Sequence, residues 1–521
     1  MLLSGDQLVD PFAFPYFLRL CEAIERFTDA AVTHDAAMFR VQGADLRYVV
    51  ERHLYFALIA DEPLYRLFVA SECGNVADGQ SLSEMAGLVA PFLLQRWPRP
   101  VEAPQSLWTR FLRVAYRRRS WSHFGCEGVT NGRPKVLFLV IHPKFVRYLS
   151  PIAGALPVAT AFLTVNDPEM FTWLEARGLP RVRVQLMSES SSAKVGPFKY
   201  LASSFDRLAV IFNAVRQALT ELRPDCIVVP EGNAPINELV NRVAKTLSIP
   251  TLCIQQGWAP VVHPGFRNMT YSRMCVWGQG FADLLAPHNP NQHFVATGNH
   301  AISGRQGDDQ NRSAVAFFLQ KDSQLISVPA WNGMLDLIAW TARSFPDREV
   351  RVREHPGAPL TAFELATVEG PPNIRLMPAE QATLEQVLAG CCVAVSMYST
   401  TILEAAAVGA VPLILNVNGF DHYNPNIAAD GAAIEVRDFA EARTALSRLI
   451  QDDEYRLSFG AALDRVRQRF FAGNRDKALA AIVAEIEKLR QAPRKRTLAA
   501  MIHSKGYAST NAKACRGVES S

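Results

Sequence analysis

One short segment in the C-terminal third combines hydroxyl side chains with a predicted helix start. Residues 393–415 have the pattern of a buried strand, a hydroxyl-rich turn, a helix and a second buried strand. A helix N-terminus presents unpaired N–H groups and the positive end of its dipole, so it can hold a phosphate. The hydroxyls of Ser399, Thr400 and Thr401 would lie beside that phosphate. Glu404, one turn further on, could accept hydrogen bonds from ribose or sugar hydroxyls.

The same segment has an interpretation that needs no ligand. Thr401 and Glu404 have the spacing of a capping box, in which the two side chains satisfy the N–H groups of the helix start. The local pattern leaves both interpretations open, so polar residues elsewhere in the chain have to decide between them.

Further polar residues stand directly after other predicted strands. The clearest are Glu231 after 226–229, Gln256 after 251–254, Asn299 after 294–297, His355 and Pro356 after 349–354, and Ser396 ending 392–396. Three more such positions are His142 after 136–141, His263 in the loop beyond Gln256, and Trp331 with Asn332 after 324–328. Each could be an ordinary turn or cap residue. Five strand ends that direct polar groups into one cleft outweigh that explanation.

The chemistry that suits such a cleft is transfer from a nucleotide-activated donor. A departing nucleotide phosphate develops negative charge, which the helix start, the hydroxyls of Ser399 and Thr400, and an imidazolium of His355 could stabilise. Glu231 is the carboxylate best placed to act as base toward the acceptor hydroxyl. No Asp-x-Asp follows a predicted strand, so we expect no metal site and no cofactor besides the nucleotide-sugar substrate.

The elements that position these residues belong to an α/β fold. After residue 131, short β-branched runs alternate with amphipathic helices, which is typical of parallel sheets. We expect two tandem Rossmann-like domains preceded by an α-helical N-terminal region. The predicted units are a helical accessory domain 1–125, an N-terminal Rossmann-like acceptor domain 131–303, a C-terminal Rossmann-like nucleotide-donor domain 313–489 and a basic, disordered tail 490–521.

Composition restricts the class of protein. The 521 residues suffice for two or three domains, and a net charge of +4 is too small to indicate a nucleic-acid partner. The nine cysteines are scattered without metal-binding spacing, which favours a reducing compartment. The N-terminus does not resemble a signal peptide, and no run reaches the roughly 20 apolar residues of a membrane span. We therefore expect a cytoplasmic protein, at most peripheral at the inner face of the cytoplasmic membrane.

The order of the strand-end motifs resembles the GT-B glycosyltransferases of bacterial surface polysaccharides. The most similar groups are the capsule polysaccharide, polysialyltransferase and CDP-glycerol glycerophosphotransferase-like enzymes. The resemblance spans residues 135–489 and is carried by Glu231-Gly-Asn233, Gln255-Gln-Gly257, Val276-Trp-Gly278, Thr297-Gly-Asn299, Arg353-Glu-His-Pro356 and Ser396-x-x-Ser-Thr-Thr-x-x-Glu-Ala405.

The resemblance implies roles for several of these residues. His355 would lie at the donor phosphate and act as an acid, and Ser399 and Thr400 would also contact that phosphate. Glu404 would bind the ribose or sugar, and Glu231 would be the catalytic carboxylate. The implied reaction moves a sugar from a CMP- or other nucleotide-activated donor to a surface polysaccharide or glycolipid acceptor.

Other functions stay open within the same architecture. A CDP-glycerol-type glycerophosphotransferase would use the same cleft. A sugar-nucleotide 2-epimerase shares the fold but would be expected to carry paired acids in this motif, so Ser399-Thr-Thr401 with a single Glu404 argues against it. A catalytically silent nucleotide- or glycan-binding protein is also open, because Pro230 stands before Glu231 where the related enzymes have an acid.

Overall fold

The computed structural model describes the two predicted domains and part of the N-terminal region. The described residues are 39–60, 122–128, 133–186, 197–258, 262–302, 312–320, 328–355, 359–368, 370–378, 381–397, 399–417 and 425–492, with Ile326 and scattered positions between 21 and 33. Most of the predicted accessory domain 1–125 and nearly all of the predicted tail 490–521 lie outside them.

The first domain is built on an eight-stranded sheet. Its strands are β3 (Ser122–Glu127), β4 (Val136–Leu139), β5 (Thr160–Val165), β6 (Arg181–Leu186), β7 (Cys226–Pro230), β8 (Thr251–Ile254), β9 (Arg273–Val276) and β10 (Phe294–Ala296). The order across the sheet is β10-β9-β8-β7-β4-β5-β6-β3. β3 pairs antiparallel with β6 at one edge, and the remaining pairs are parallel. A two-stranded hairpin, β1 (Arg40–Val41) and β2 (Ala44–Asp45), precedes the sheet.

The second domain has a six-stranded parallel sheet. Its strands are β11 (Ala314–Phe318), β12 (Val350–Arg353), β13 (Ile374–Leu376), β14 (Cys391–Ser396), β15 (Val411–Leu415) and β16 (Ile434–Val436). The order β13-β12-β11-β14-β15-β16 is the doubly wound order of a Rossmann fold. The predicted α/β class with two tandem Rossmann-like domains is confirmed.

The helices cover both faces of the sheets and often begin at a capping side chain. In the first domain they are Pro143–Ala155, Pro168–Glu175, Pro197–Leu222, Pro235–Thr246 and Gln279–Leu285. In the second they are Val328–Ser344, Ala362–Val368, Leu384–Leu388, Thr401–Val408, Phe439–Gln451, Asp453–Leu457 and Gly460–Phe470, and the helix Arg475–Gln491 follows them in the chain. Asp167, Asp438 and Asn474 each accept a backbone N–H of the first turn that follows them. Within the described residues, no helix is both long enough and apolar enough to cross a bilayer.

The start of the second domain differs from the prediction. The strand predicted over 324–328 lies mostly outside the described residues. Of its positions, Ile326 forms an isolated β-bridge and Val328 begins the helix Val328–Ser344, while the first strand of the sheet is β11. β11 is buried along its whole length, as a central parallel strand must be. The helix prevails over 328–333 because Trp331, Leu335 and Ile338 recur at helical spacing on its buried face.

The N-terminal helix Arg47–Ala60 packs against the first domain. Its Arg52 is completely buried and lies 3.9 Å from the carboxylate of Glu238 on the helix Pro235–Thr246. The same guanidinium donates to the carbonyl oxygens of Gly265 (3.3 Å) and Arg267 (3.2 Å). A buried charge held by an ion pair and backbone carbonyls fixes its neighbours strongly, so this helix holds the loop that follows β8.

The C-terminal helix Arg475–Gln491 returns from the second domain to the first. Its Ile482, Ile486 and Leu489 belong to one buried cluster with Val136 and Phe138 of β4. This helix was predicted to belong to the donor domain 313–489, but it packs on the first sheet. Amphipathic spacing identifies the buried face of a helix but does not identify the surface that covers it.

On its way back to the first domain, the chain passes very close to the backbone at two glycines. A Cβ at Gly278 would lie 2.3 Å from the carbonyl carbon of Phe470, and one at Gly298 would lie 2.1 Å from the carbonyl oxygen of Ala472. The N–H of Ala472 donates to Trp277 O at 2.7 Å. Glycine is therefore required at both positions for the segment before the return helix to pass the ends of β9 and β10.

We expect Gly298→Ala to destabilise the protein strongly. Gly298 has a φ of +94°, and alanine there would add left-handed strain to a clash with the backbone of Ala472. The expected loss is about 3 kcal/mol in the free energy of unfolding. Gly431→Ala is the matched control, because Gly431 has a φ of +73° and nothing within 4 Å of an added Cβ, so only the strain of about 1 kcal/mol applies. The free energy of unfolding of both variants is measured by urea denaturation, and equal losses in the two would contradict this prediction.

Candidate functional site

The two sheets bring their topological switch points together across a cleft. The strand order reverses between β4 and β7 in the first sheet and between β11 and β14 in the second. Ligands of parallel α/β sheets bind beyond the carboxyl ends of the strands at such points. His142 and Glu231 follow β4 and β7, and the turn containing Ser399 and Thr400 follows β14. Three of the sequence motifs therefore stand where a ligand of this fold would lie.

Glu231 occupies a strained turn directly after β7. Its φ is +56°, a left-handed conformation that costs a non-glycine residue roughly 1–2 kcal/mol. Gly232 follows with a φ of +74°, and a Cβ there would lie 2.6 Å from Cys253 Sγ. The turn is held by the Glu231 N–H, which donates to Ile254 O at 2.7 Å, and by the Tyr271 hydroxyl, which donates to Gly232 O at 3.1 Å. Strain maintained by the surrounding structure is characteristic of functional turns.

The Glu231 carboxyl is mostly shielded from solvent, with 15% of its side chain exposed. Burial raises its pKa, while the positive charge of Lys144 and a hydrogen bond from Asn233 oppose that rise. Lys144 Nζ lies 3.9 Å from Glu231 Oε1. The net effect brings the carboxyl closer to the protonation equilibrium that a general base needs near neutral pH.

His142 and His355 approach the same region from the two domains. His142 caps the helix Pro143–Ala155, and its Nδ1 accepts the N–H of Lys144 at 3.1 Å. Burial lowers the pKa of His142, and the charges of Lys144 and Arg147 lower it further. His355 is exposed after β12, and desolvation, Lys144 and His142 lower its pKa. The surrounding charges thus favour neutral His355, and a phosphate beside it would raise that pKa again.

Two arginines add positive charge, one from each domain. Arg353, the last residue of β12, donates from Nη1 to the carbonyl oxygen of Ala382 at 2.6 Å. Burial lowers the pKa of Arg353, the carboxylate of Glu404 opposes this, and the positive charge of Arg147 adds to the lowering. Arg147 belongs to the first domain, so like charges face each other across the cleft. Such an arrangement is favourable only when an anion lies between them.

The hydroxyl-rich turn after β14 is built differently from the predicted capping box. The helix begins at Thr401, and Ser399 Oγ accepts its N–H at 3.3 Å. The N-cap residue Thr400 has a helical backbone, with φ −52° and ψ −29°, and makes no side-chain cap bond. Ser396 is buried and donates to Phe318 O at 3.1 Å, which joins β14 to β11. The capping-box interpretation of Thr401 and Glu404 is therefore wrong.

Glu404 faces the first domain. Asn299 Nδ2 donates to Glu404 Oε1 at 3.4 Å, and the Asn299 Oδ1 accepts the N–H of Ala301 at 2.9 Å. Glu404 is buried, and this burial raises its pKa to about 7, against the opposing effects of Arg353 and Asn299. The side chain expected to bind ribose or sugar thus bridges the two domains and carries a carboxyl that titrates near neutrality.

The Thr400 hydroxyl makes two hydrogen bonds to the first domain. Its oxygen accepts the Trp258 N–H at 2.8 Å, and its proton is donated to the Trp258 carbonyl oxygen, also at 2.8 Å. Trp258 lies in the loop after β8. The predicted cleft residue Gln256 lies in the same loop and is half-buried. Thr400 was predicted to contact the donor phosphate, whereas its hydroxyl binds the backbone of Trp258.

A buried network fixes the loop to which Thr400 binds. The carbonyl oxygen of Gln255 accepts hydrogen bonds from the Tyr148 hydroxyl (2.9 Å) and Trp277 Nε1 (2.9 Å). Gln255 Oε1 accepts the N–H of Trp277 at 2.9 Å. Burial raises the pKa of Tyr148 far above its usual value, so it remains a neutral donor. This network was not found from the sequence, because Tyr148 is more than a hundred residues away from both Gln255 and Trp277 in the chain.

Several other predicted residues have structural roles or lie outside the described residues. His263 is buried, stacks on Tyr55 with ring centroids 4.6 Å apart, and has a pKa lowered to about 3 by burial. Trp331 is a core residue of the helix Val328–Ser344 whose Nε1 donates to Glu364 at 2.7 Å, and Asn332 is exposed on that helix. Trp331 and Asn332 were predicted in a loop but lie in this helix. None of the contacts described here for His263 and Trp331 places these side chains in the cleft. Pro356 is not among the described residues.

Three cationic side chains of the cleft were not predicted from the sequence. Lys144, Arg147 and Arg353 were not chosen, although each stands at or shortly after a strand end, the signal used for the other residues. Basic residues are common on the surfaces of proteins, so position after a strand did not distinguish these three from ordinary surface residues. Among the described residues, no group of three or more His, Cys, Asp or Glu side chains could hold a metal ion.

Comparison with known proteins gives matches only among solved structures. No family model and no curated protein sequence matches the chain. The UDP-GlcNAc 2-epimerase of Neisseria meningitidis, solved with UDP-GlcNAc, is 14% identical with a TM-score of 0.46, covering 68% of this chain and 99% of that one. The calicheamicin glycosyltransferase CalG4 is 16% identical with a TM-score of 0.44, covering 70% and 100%. MurG of Acinetobacter baumannii is 12% identical with a TM-score of 0.44, covering 68% and 99%.

At these identities and TM-scores the likeness carries no argument about the reaction of this chain. What can be said about chemistry rests on the geometry of the cleft: one strained carboxylate, two histidines and three cationic side chains, contributed by both domains.

The pKa of Glu404 predicts how stability depends on pH. Its carboxyl titrates near pH 7 when folded and near its ordinary value of 4.5 when unfolded. Its contribution to stability is therefore complete below about pH 4.5 and falls as the pH rises to about 7, by on the order of 3 kcal/mol. Glu404→Gln cannot ionise and should be more stable than the wild type at pH 8 by that order, with less than about 1 kcal/mol difference at pH 5. Urea denaturation at both pH values checks this, and a difference that is independent of pH would contradict it.

Proposed function

We propose that this chain is a glycosyltransferase that moves a sugar from a nucleotide-sugar donor, CMP- or otherwise nucleotide-activated, to a surface polysaccharide or glycolipid acceptor. The observation that carries the proposal is Glu231. Its carboxyl has a raised pKa and stands on a strained turn at the switch point of one sheet, facing a cleft lined by cations from both domains. A base opposite a site for anions is the arrangement that such a transfer requires.

In the proposed reaction, Glu231 removes the proton of an acceptor hydroxyl while the hydroxyl oxygen attacks the anomeric carbon of the donor sugar. A carbon–oxygen bond forms to the acceptor, and the bond between the anomeric carbon and the phosphate oxygen breaks. The nucleotide leaves with that electron pair. The raised pKa suits the role, because a base is most effective when its pKa lies near the working pH.

The leaving phosphate would lie among Lys144 and Arg147 of the first domain and Arg353 and His355 of the second. Burial lowers the pKa of Arg353 and of His355. The charge of Arg147 lowers the pKa of Arg353 further, and the charge of Lys144 lowers that of His355 further, so positive charges oppose one another here. A phosphate between them would relieve that repulsion and raise the pKa of His355, so that the imidazolium can protonate the departing nucleotide. Because side chains supply this positive charge, we propose a metal-independent transfer.

Because the proposed acceptor is a surface polysaccharide or glycolipid, we propose that the reaction takes place at the inner face of the cytoplasmic membrane. The same cleft would also serve a CDP-glycerol-type glycerophosphotransferase, or a protein that binds nucleotide or glycan without turnover. These alternatives are outcomes of the experiment that follows.

The experiment is a thermal-shift screen with CMP, CDP, UDP and GDP, followed by transfer assays with the corresponding activated donors. A ligand that binds only the folded protein stabilises it by about 2.7 kcal/mol at a hundredfold excess over Kd. A shift together with sugar transfer supports the proposal. The absence of a shift with every nucleotide overturns it, and a shift without transfer indicates the binding protein. Transfer of glycerol phosphate from CDP-glycerol would identify the glycerophosphotransferase.

Glu231→Gln should abolish transfer while leaving nucleotide binding near that of the wild type. The amide keeps the shape of the side chain but cannot accept a proton, and loss of a general base lowers kcat about 10²- to 10⁴-fold. Glu169→Gln serves as control, since Glu169 is an exposed carboxylate on a helix of the same domain. Turnover that persists in Glu231→Gln would remove Glu231 from the mechanism.

His355→Ala should lower kcat about 10²- to 10³-fold without loss of folded protein, because it removes one electrostatic group from the leaving phosphate. His288→Ala is the matched control, an exposed histidine of the first domain. Comparable steady-state activity of His355→Ala and the control would show that the leaving group does not depend on this imidazole.

A further inference from the structure

Thr400 links the two domains through a single hydroxyl. The distances of 2.8 Å to both the N–H and the carbonyl oxygen of Trp258 mean that its donor and one acceptor site are used on the same residue. The two residues are 142 positions apart in the chain and belong to different sheets. These bonds therefore exist only when the second domain is seated against the loop after β8.

That loop is a rigid partner. Gln255 is fixed by Tyr148 and Trp277 through the hydrogen bonds described above. The indole of Trp258 is buried against Phe266 and Phe281, with ring centroids 5.5 and 5.2 Å away. Both ends of the Gln255–Trp258 loop are therefore held in place. A hydrogen bond from Thr400 to this loop consequently fixes the position of the second domain relative to the first.

Gly257 lies between the proposed base and Thr400. A Cβ added at Gly257 would be 3.0 Å from Glu231 Oε1 and 3.7 Å from Thr400 Oγ1. The two side chains thus approach the same point from opposite domains. Thr400 is also the residue from which the helix Thr401–Val408 begins. Its bond to Trp258 consequently sets the distance from Glu231 to that helix start.

We propose that Thr400 is a positioning residue that latches the donor domain to the Gln255–Trp258 loop and so sets the separation of the base from the donor. The inference rests on the proposed function and changes the role expected of Thr400 from phosphate ligand to latch. The physical reason is that transfer depends on reacting atoms held about 3–3.5 Å apart, where a shift of 1 Å can cost about 10²-fold in rate.

The latch itself is tested in the absence of substrate by hydrogen exchange of the Trp258 amide. Thr400→Val keeps the shape of the side chain and removes the hydroxyl, so exchange at Trp258 should become at least about tenfold faster. Thr400→Ser retains the hydroxyl and should keep the protection. Thr444→Val is the control, because Thr444 is exposed and its hydroxyl donates within its own helix, to Ala440 O at 3.1 Å. Equal exchange at Trp258 in the wild type and Thr400→Val overturns the latch.

The role of the latch is tested by binding and turnover of the same variants. Thr400→Val should bind the nucleotide found in the screen within about threefold of the wild type, with kcat lowered about 10- to 100-fold, and Thr400→Ser should restore kcat. Weakened nucleotide binding with unchanged kcat would make Thr400 a phosphate ligand and overturn the proposal. Failure of Thr400→Ser to restore kcat would also overturn it. If the wild type binds no nucleotide, the proposed function fails, while hydrogen exchange still decides whether the latch exists.

Discussion

The return of the C-terminal helix to the first sheet is the constraint on which the rest of the structure depends. Ile482, Ile486 and Leu489 complete the buried cluster on β4, and the segment before them passes over Gly278 and Gly298, where no side chain would fit. Two Rossmann-like domains joined only by a linker would be free to separate. Apolar burial along this helix holds them together, so that residues at the two switch points can meet.

Within the cleft, burial and charge act against each other. Desolvation raises the pKa of Glu231 and Glu404 and lowers that of His142 and His355, while the cations partly reverse the effect on the carboxyls. As a result, the proton equilibria of the two carboxyls move toward neutral pH, while the two histidines are held in the neutral form. Perturbed groups of this kind concentrate where chemistry takes place, which is why the cleft, and not the buried pair of Arg52 and Glu238, is the candidate site.

Much of the architecture could be predicted from the sequence because its causes are local. Buried runs such as 226–229, 251–254 and 411–415 were located within a residue of the observed strands. At the strand predicted over 324–328, Val328 instead begins a helix, because apolar residues at strand spacing and at helix spacing adjoin there. The site was predicted less completely. His142, Glu231 and His355 were found by position after a strand, whereas Lys144, Arg147 and Arg353 resemble any surface base until the opposite domain is in place.

By itself the sequence determined the α/β class, the two Rossmann-like domains and the strand ends that carry polar groups, because these follow from spacing and turn chemistry within a few residues. Only the tertiary structure decided what those groups touch. The hydroxyl of Thr400 binds Trp258, Glu404 binds Asn299, and His263 stacks on Tyr55, each far away in the chain. Such contacts depend on how separately folded units pack together, and no local pattern of residues encodes that packing.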